Sequence, residues 1–189
     1  MILQAQISSS RAIAIIGLFS ALYIVTSGLA SFISQLGYPE HFLRGILMTA
    51  VILRTGKKWS ATSMGLVSGL VFALIVPSPA PYLLPSTFVS GLVFDIVLLL
   101  GASYSESARS RSRLVIGAAV SGLAESIVAL GILTYATPGF FGQTAQALTI
   151  AWSTDIVLNI ILSSVGAVLA FRFLSPKKRT MQSQGVMNT

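Results

Sequence analysis

The chain reads as an all-α integral membrane protein, a six-transmembrane-helix bundle with both termini cytoplasmic. Three observations carry that expectation. Hydrophobic residues fill 54% of 189 positions and charged residues only 9%, against about 25% charged in soluble domains. Twelve basic and five acidic side chains are too few to coat a soluble globule of this length, and hydrophobicity this high excludes disorder. Six apolar segments follow one another, and Lys and Arg collect in alternate connections between them.

A spanning helix takes about 20 mainly apolar residues. The first segment runs from about Ala12 to Ile33, after Arg11. Gly28-Leu29-Ala30 resembles a signal-cleavage site, but the apolar run exceeds the roughly 7–15 residues of a secretory core, so a retained helix is expected. The second, about Phe42 to Leu53, is too short for a straight crossing and either tilts or extends back into the preceding loop. The third covers about Ser60 to Val76 and the fourth about Ser86 to Gly101. The fifth covers about Leu114 to Thr134 and the sixth about Leu148 to Leu174. Together they make one domain over residues 1–175. The stretch 176–189 is expected to be a polar cytoplasmic tail without fixed structure. No internal repeat divides the chain into halves.

Placing the N-terminus in the cytoplasm sorts the charges. Arg11, the group Arg54, Lys57 and Lys58, the group Arg109, Arg111 and Arg113, and Arg172 with Lys177, Lys178 and Arg179 all fall inside. That is eleven of the twelve basic residues. The outer loops hold no Lys or Arg, which fits a multi-pass protein of the cell membrane with an even number of spans. The net charge of +7 is then a topological label and no sign of nucleic acid. Arg44 is the exception.

Several function classes drop out. No cysteine is present, which removes disulfides, iron–sulfur clusters and thiolate metal sites. A single histidine, His41, argues against a zinc or haem site, and neither metal nor cofactor is expected. Gly56-Lys57 lacks the earlier glycine of a P-loop, and H-E-x-x-H and G-x-S-x-G are absent. Asp95 and Asp155 lack the flanking signature of an aspartic protease pair, so an enzyme is not expected.

Small residues recur at helical spacing in Ala61, Gly65, Gly69 and Ala73, and in Ser10, Ala14, Gly17 and Ala21. Ala118 with Gly122, and Ser163, Gly166, Ala167 with Ala170, repeat the pattern. Such ridges let helix backbones approach closely. They serve either internal packing or docking of another membrane subunit, and the docking candidates are Ala14, Gly17, Ala21, Ala61, Gly65 and Gly69.

Ionisable groups inside the bilayer are costly and are functional by default. Asp95 sits midway along the fourth segment, Glu125 midway along the fifth and Asp155 in the outer part of the sixth. Trp152, Asp155 and Asn159 follow i, i+3, i+7 spacing and share one helix face. An indole can hold a cation over its ring while the carboxylate neutralises it. Arg44 is either a salt-bridge partner for one acid or the anchor for an anionic group. In the third loop, Pro77, Pro79, Pro81 and Pro85 stiffen the chain around Tyr82, an interfacial aromatic. Ser34–His41 is a second candidate lid, and the loop Pro138–Gln143 is glycine-rich enough to move.

Particular stretches resemble the substrate-binding S component of energy-coupling factor (ECF) transporters. Arg11-Ala-Ile-Ala-Ile-Ile-Gly17-Leu-Phe-Ser-Ala21-Leu-Tyr23 resembles that family's first helix, with Gly17 taking one place of the alanine pair. Gly56-Lys57-Lys58-Trp59 with Gly65 and Gly69 is similar to its second loop and third helix. Gly91-Leu-Val-Phe-Asp95 is similar to the acidic fourth helix of the thiamine-related YkoE-like branch. The resemblance spans about residues 11–175. Its nickel and cobalt members begin with a metal-binding histidine stretch, whereas this chain begins Met1-Ile2-Leu3-Gln4.

The resemblance implies a subunit that captures a vitamin or precursor from outside, in a pocket of helices four to six and the outer loops. It implies docking on a transmembrane coupling subunit driven by two ATPase subunits, with rocking in the bilayer carrying the substrate inward. The surplus acids and Trp152 point to a cationic, aromatic ligand such as thiamine or its pyrimidine precursor. The expected substrate residues are Trp152, Asp155, Asn159, Glu125, Asp95, Arg44 and Tyr82. The competing expectation is an accessory subunit of a larger membrane complex, with polar residues that only knit helices together.

Overall fold

The computed structural model describes residues 8–33, 38–75, 82–101, 103–137, 139 and 144–175. Among them are seven helices and no strand. These are α1 (Ser9–Ile33), α2 (Tyr38–Thr55), α3 (Ser60–Ile75), α4 (Leu83–Leu99), α5 (Tyr104–Ser107), α6 (Arg111–Ala136) and α7 (Ala145–Leu174). Six coincide with the expected segments, most of them longer by a few residues. The seventh, α5, is a single turn between α4 and α6, started by Ser103, whose hydroxyl accepts the Glu106 N–H. The loop residues Pro77, Pro79 and Pro81, most of Pro138–Gln143 and the tail 176–189 lie outside the described residues.

The second segment extends back into the loop as far as Tyr38. Tyr38-Pro39-Glu40-His41 forms the first turn of α2, where the missing N–H of Pro39 costs no helical hydrogen bond. With 18 residues at 1.5 Å each, α2 is about 27 Å long. It ends at Gly56, whose φ of 60° gives the left-handed turn that closes helices.

α1, α6 and α7 are long and apolar enough to cross a membrane, and α3 and α4 are shorter apolar helices. Large aliphatic side chains cover the outside, among them Ile13, Leu18, Leu70, Leu74, Ile127 and Ile161. Buried inside are Ser20, Arg44, Thr49, Ser68, Asp95, Glu125 and Asn159. Water-soluble proteins bury charged side chains only rarely. Apolar outside and polar inside is the arrangement compatible with a lipid solvent, where ionisable groups face the protein interior.

α2, α7, α6, α4 and α3 pack in that order as a ring, α3 returns to α2, and α1 lies against α2 and α3. Met48, Val51, Met64, Phe94 and Leu98 fill the centre, and Tyr23 stands edge-on to Phe72 with ring centroids 5.5 Å apart. Two contacts are backbone against backbone. A Cβ on Gly45 would overlap the Ser163 backbone, and one on Gly166 would overlap that of Phe42, so α2 and α7 cross closely.

The α3 ridge expected as a docking face is internal. Ala61, Gly65 and Gly69 are buried. A Cβ on Gly65 or Gly69 would run into Thr87 of α4, and one on Gly91 into Ala61. The ridge is therefore consumed in the α3–α4 contact, where small residues let the two backbones meet. Ala14, Gly17 and Ala21 of α1 are instead exposed, and a Cβ on Gly17 meets nothing within 4 Å.

The basic connections gather at one end. Lys57 Nζ donates to Ser9 Oγ at 3.4 Å, tying the α2–α3 connection to the start of α1. Tyr104 and Thr62 both bond Asp95, tying the α4–α6 connection to the start of α3.

Candidate functional site

The site begins with Arg44, which is fully buried. A guanidinium carries five N–H donors and no acceptor, so burial is tolerable only with full pairing. The close α2–α7 crossing at Gly45 brings Asn159 and Ser163 of α7 within reach. Arg44 pairs with Glu125 of α6 and donates to Asn159 Oδ1 and to Ser163 Oγ at 2.9 Å. Asn159 Nδ2 in turn reaches Glu125 Oε2 at 3.2 Å and Ser126 Oγ at 2.9 Å. The Ser126 hydroxyl donates to Asp155 Oδ2 at 2.6 Å. The other carboxylate oxygen of Asp155 faces His41 Nε2 at 3.3 Å. Ser163 closes the network by bonding the His41 carbonyl at 3.2 Å.

Over this network lies a cleft of about 460 Å³, within the roughly 300–1,000 Å³ of small-molecule sites. Three carboxylates line it: Glu40, Glu125 and Asp155. Tyr38, His41, Tyr82, Ser126 and Asn159 add polar surface, while Ala129, Leu130, Leu133 and Ile150 form an apolar wall. The cleft is built from the first turns of α2 and α4, the second half of α6 and the first half of α7. It thus opens at the end opposite the basic connections. Glu40 is steadied by Tyr23, whose hydroxyl donates to Oε1 at 3.0 Å.

Of the expected residues, Asp155, Asn159, Glu125 and Tyr82 line this one cleft. Arg44 lies beneath it as a salt-bridge partner. Trp152 does face α6 with Asp155 and Asn159, but its Nε1 donates to Thr134 Oγ1 at 3.2 Å and it is not part of the lining. Asp95 is not in the cleft. It accepts from the Thr62 N–H at 2.8 Å, the Thr62 hydroxyl at 2.7 Å and the Tyr104 hydroxyl at 2.6 Å. A carboxylate there satisfies free N–H groups at the start of α3 and faces the positive end of its dipole. Burial first, and then the adjacent Asp95, push the Tyr104 phenol far above its ordinary value, so it remains a donor.

No protein family model matches the chain, and no curated protein or solved structure does either.

Function therefore has to be read from the site itself. Three acids face the cleft and a single buried cation neutralises one of them, so the cleft suits a ligand that brings positive charge. Tyr38 and Tyr82 also line the cleft, and the face of an aromatic ring attracts a cation. Among the described residues no cluster of three His, Asp or Glu is placed to hold a metal ion. Asp95 and Asp155 hold different partners and form no carboxylate pair.

Tyr38, Glu40 and His41 fell within the candidate lid Ser34–His41 and were not among the expected substrate residues, yet they line the cleft. The available signal was spacing: Glu40 and Arg44 are four apart and His41 and Arg44 three apart, which puts them on neighbouring helical positions.

Proposed function

We propose that the chain is the substrate-binding membrane subunit of an ATP-driven, ECF-type vitamin importer. It crosses the cell membrane six times with both termini in the cytoplasm, so the basic end faces inward and the cleft outward. It captures a small aromatic cation of the thiamine kind and docks on a transmembrane coupling subunit that works with two ATPases. The observation that carries this reading is the cleft with three carboxylates over one buried arginine. The resemblance of residues 11–23 to the family's first helix supports the docking step, as does the exposure of Ala14, Gly17 and Ala21.

Calorimetry with thiamine tests the capture step. Binding in the micromolar range or tighter is expected, and Asp155→Asn should weaken it at least tenfold. Affinity indifferent to Asp155→Asn would remove the substrate assignment. A second reading, an accessory subunit of a larger complex, is favoured by Asp95 and Trp152, which are spent on interhelical bonds to Thr62, Tyr104 and Thr134. Native mass spectrometry of the protein from its own membrane separates the two. Co-purified ATPase subunits and a retained small molecule support the importer, whereas a large assembly lacking both supports the accessory role.

A further inference from the structure

The cleft already holds a cation-forming group of its own. His41 Nε2 faces Asp155 Oδ1 at 3.3 Å, at the point where the carboxylate borders the cleft. The rest of the imidazole is poorly provided for. Nδ1 is buried and has no hydrogen-bond partner among the described residues. A charged imidazole donates from both nitrogens, so its Nδ1–H has no acceptor there, and its charge is held from one side, by Asp155.

The backbone that carries the ring is anchored. The carbonyl of the same residue is bonded to Ser163, which is bonded to Arg44.

The other charged and titratable groups around the ring keep this balance delicate. On its own helix are Tyr38, Glu40 and Arg44. Glu40 is engaged by Tyr23 of α1 and Arg44 by Glu125 of α6. Tyr82, ahead of α4, lines the same cleft. Among the acids, Asp155 alone is both exposed to the cleft and hydrogen-bonded to the imidazole.

We infer that His41 is a built-in counter-ion of the cleft, and that an incoming organic cation takes its place beside Asp155 while the imidazolium proton leaves to solvent. One positive charge enters and one leaves, so the carboxylate is never left bare. This rests on the cation-binding reading proposed above and adds a consequence to it: binding is coupled to proton release. Affinity for a permanent cation therefore falls as acid loads His41, by up to tenfold per pH unit when one proton is exchanged.

The test uses benzyltrimethylammonium, an aromatic cation whose own charge does not change with pH. Calorimetry near pH 6 in two buffers of different ionisation heat counts the protons released. The expected result is net proton release on cation binding, with weaker binding at pH 5.5 than at pH 7.5. In His41→Gln both effects should vanish. Binding without proton release, or an unchanged pH dependence in His41→Gln, would overturn the exchange and leave the cation site standing. No binding of either benzyltrimethylammonium or thiamine would overturn both.

Should His41→Gln fail to fold, the wild-type chain still answers. Its single histidine gives one pair of ring-nitrogen signals in nitrogen NMR. At pH 6 the pair should shift from the pattern of the charged ring toward that of the neutral ring when the cation is added. A pair that keeps the charged pattern with cation bound refutes the exchange.

Discussion

Arg44 shows how a single residue organises the site. Among the described residues it is the largest fully buried side chain; its charge is answered by Glu125, and Asn159 Oδ1 and Ser163 Oγ accept further hydrogen bonds from it. Removing one partner of a buried pair leaves the other uncompensated, at a cost of about 3–5 kcal/mol. Glu125→Gln should therefore lower stability by about that amount in unfolding experiments in detergent. Replacing both, as Arg44→Met with Glu125→Met, should recover much of it, because no charge is then stranded. A double variant no better than Glu125→Gln would show that the packing of the arginine stem matters more than its charge. Tyr104 offers a second test at this scale. Tyr104→Phe deprives Asp95 of a donor, at a cost of about 1–3 kcal/mol. The phenol holds its proton in the folded chain well above the ordinary value near pH 10. Its contribution is thus complete below pH 10 and fades as pH rises further, since the unfolded chain alone then loses the proton. Stability curves should show a shallower alkaline decline in Tyr104→Phe than in the wild type.

At the scale of elements, α2 explains what could and could not be read in advance. An apolar run from Phe42 to Leu53 is what hydropathy detects. The turn Tyr38–His41 is helical as well, yet it presents polar side chains to the cleft and so resembles a loop by composition. Asp155, Asn159 and Glu125 were legible because a carboxylate or amide inside an apolar segment has few reasons to be there. Trp152 shares their helix face, but a shared face names the neighbouring helix and not the depth of a cavity, and the indole goes to Thr134. The small-residue ridges were equally visible in both α1 and α3, and only packing separates them. This separation predicts opposite responses to the same substitution. Gly45→Ala and Gly65→Ala each place a Cβ into the backbone of a facing helix, where overpacking costs about 1–3 kcal/mol. Gly17→Ala has open space around it and should leave the stability of the isolated chain unchanged. Gly17→Trp should likewise fold, yet lose co-purification of partner subunits if the outer face of α1 is the docking surface. Retained partners in Gly17→Trp would move the docking surface elsewhere.

For the whole molecule, composition alone foretold an interior and exterior exchanged relative to soluble proteins, because so few charged groups could not cover a surface in water. Which end is which was carried by the basic residues, and the fold gathers their connections at the end away from the cleft. The two features are logically separate, since nothing in helix packing requires the acids to cluster opposite the bases. In the proposed topology that separation has a physical consequence: with the basic connections retained in the cytoplasm, the acidic cleft faces out. The absence of cysteine makes this measurable, since any introduced thiol is unique. Ser8, Ser105 and Gln146 are all exposed. Ser8 precedes α1, Ser105 lies in α5 and Gln146 begins α7 across the length of α6. In intact cells an impermeant maleimide should label Gln146→Cys at once, and Ser8→Cys and Ser105→Cys only after permeabilisation. The reverse pattern would put the cleft in the cytoplasm and exclude capture from outside. Labelling of Ser8→Cys and Ser105→Cys from opposite faces would mean an odd number of crossings between α1 and α4, and the six-span arrangement would fall. If all three behave as expected, prior addition of thiamine should leave Gln146→Cys labelling intact while slowing that of a cysteine at Ala151, which lines the cleft.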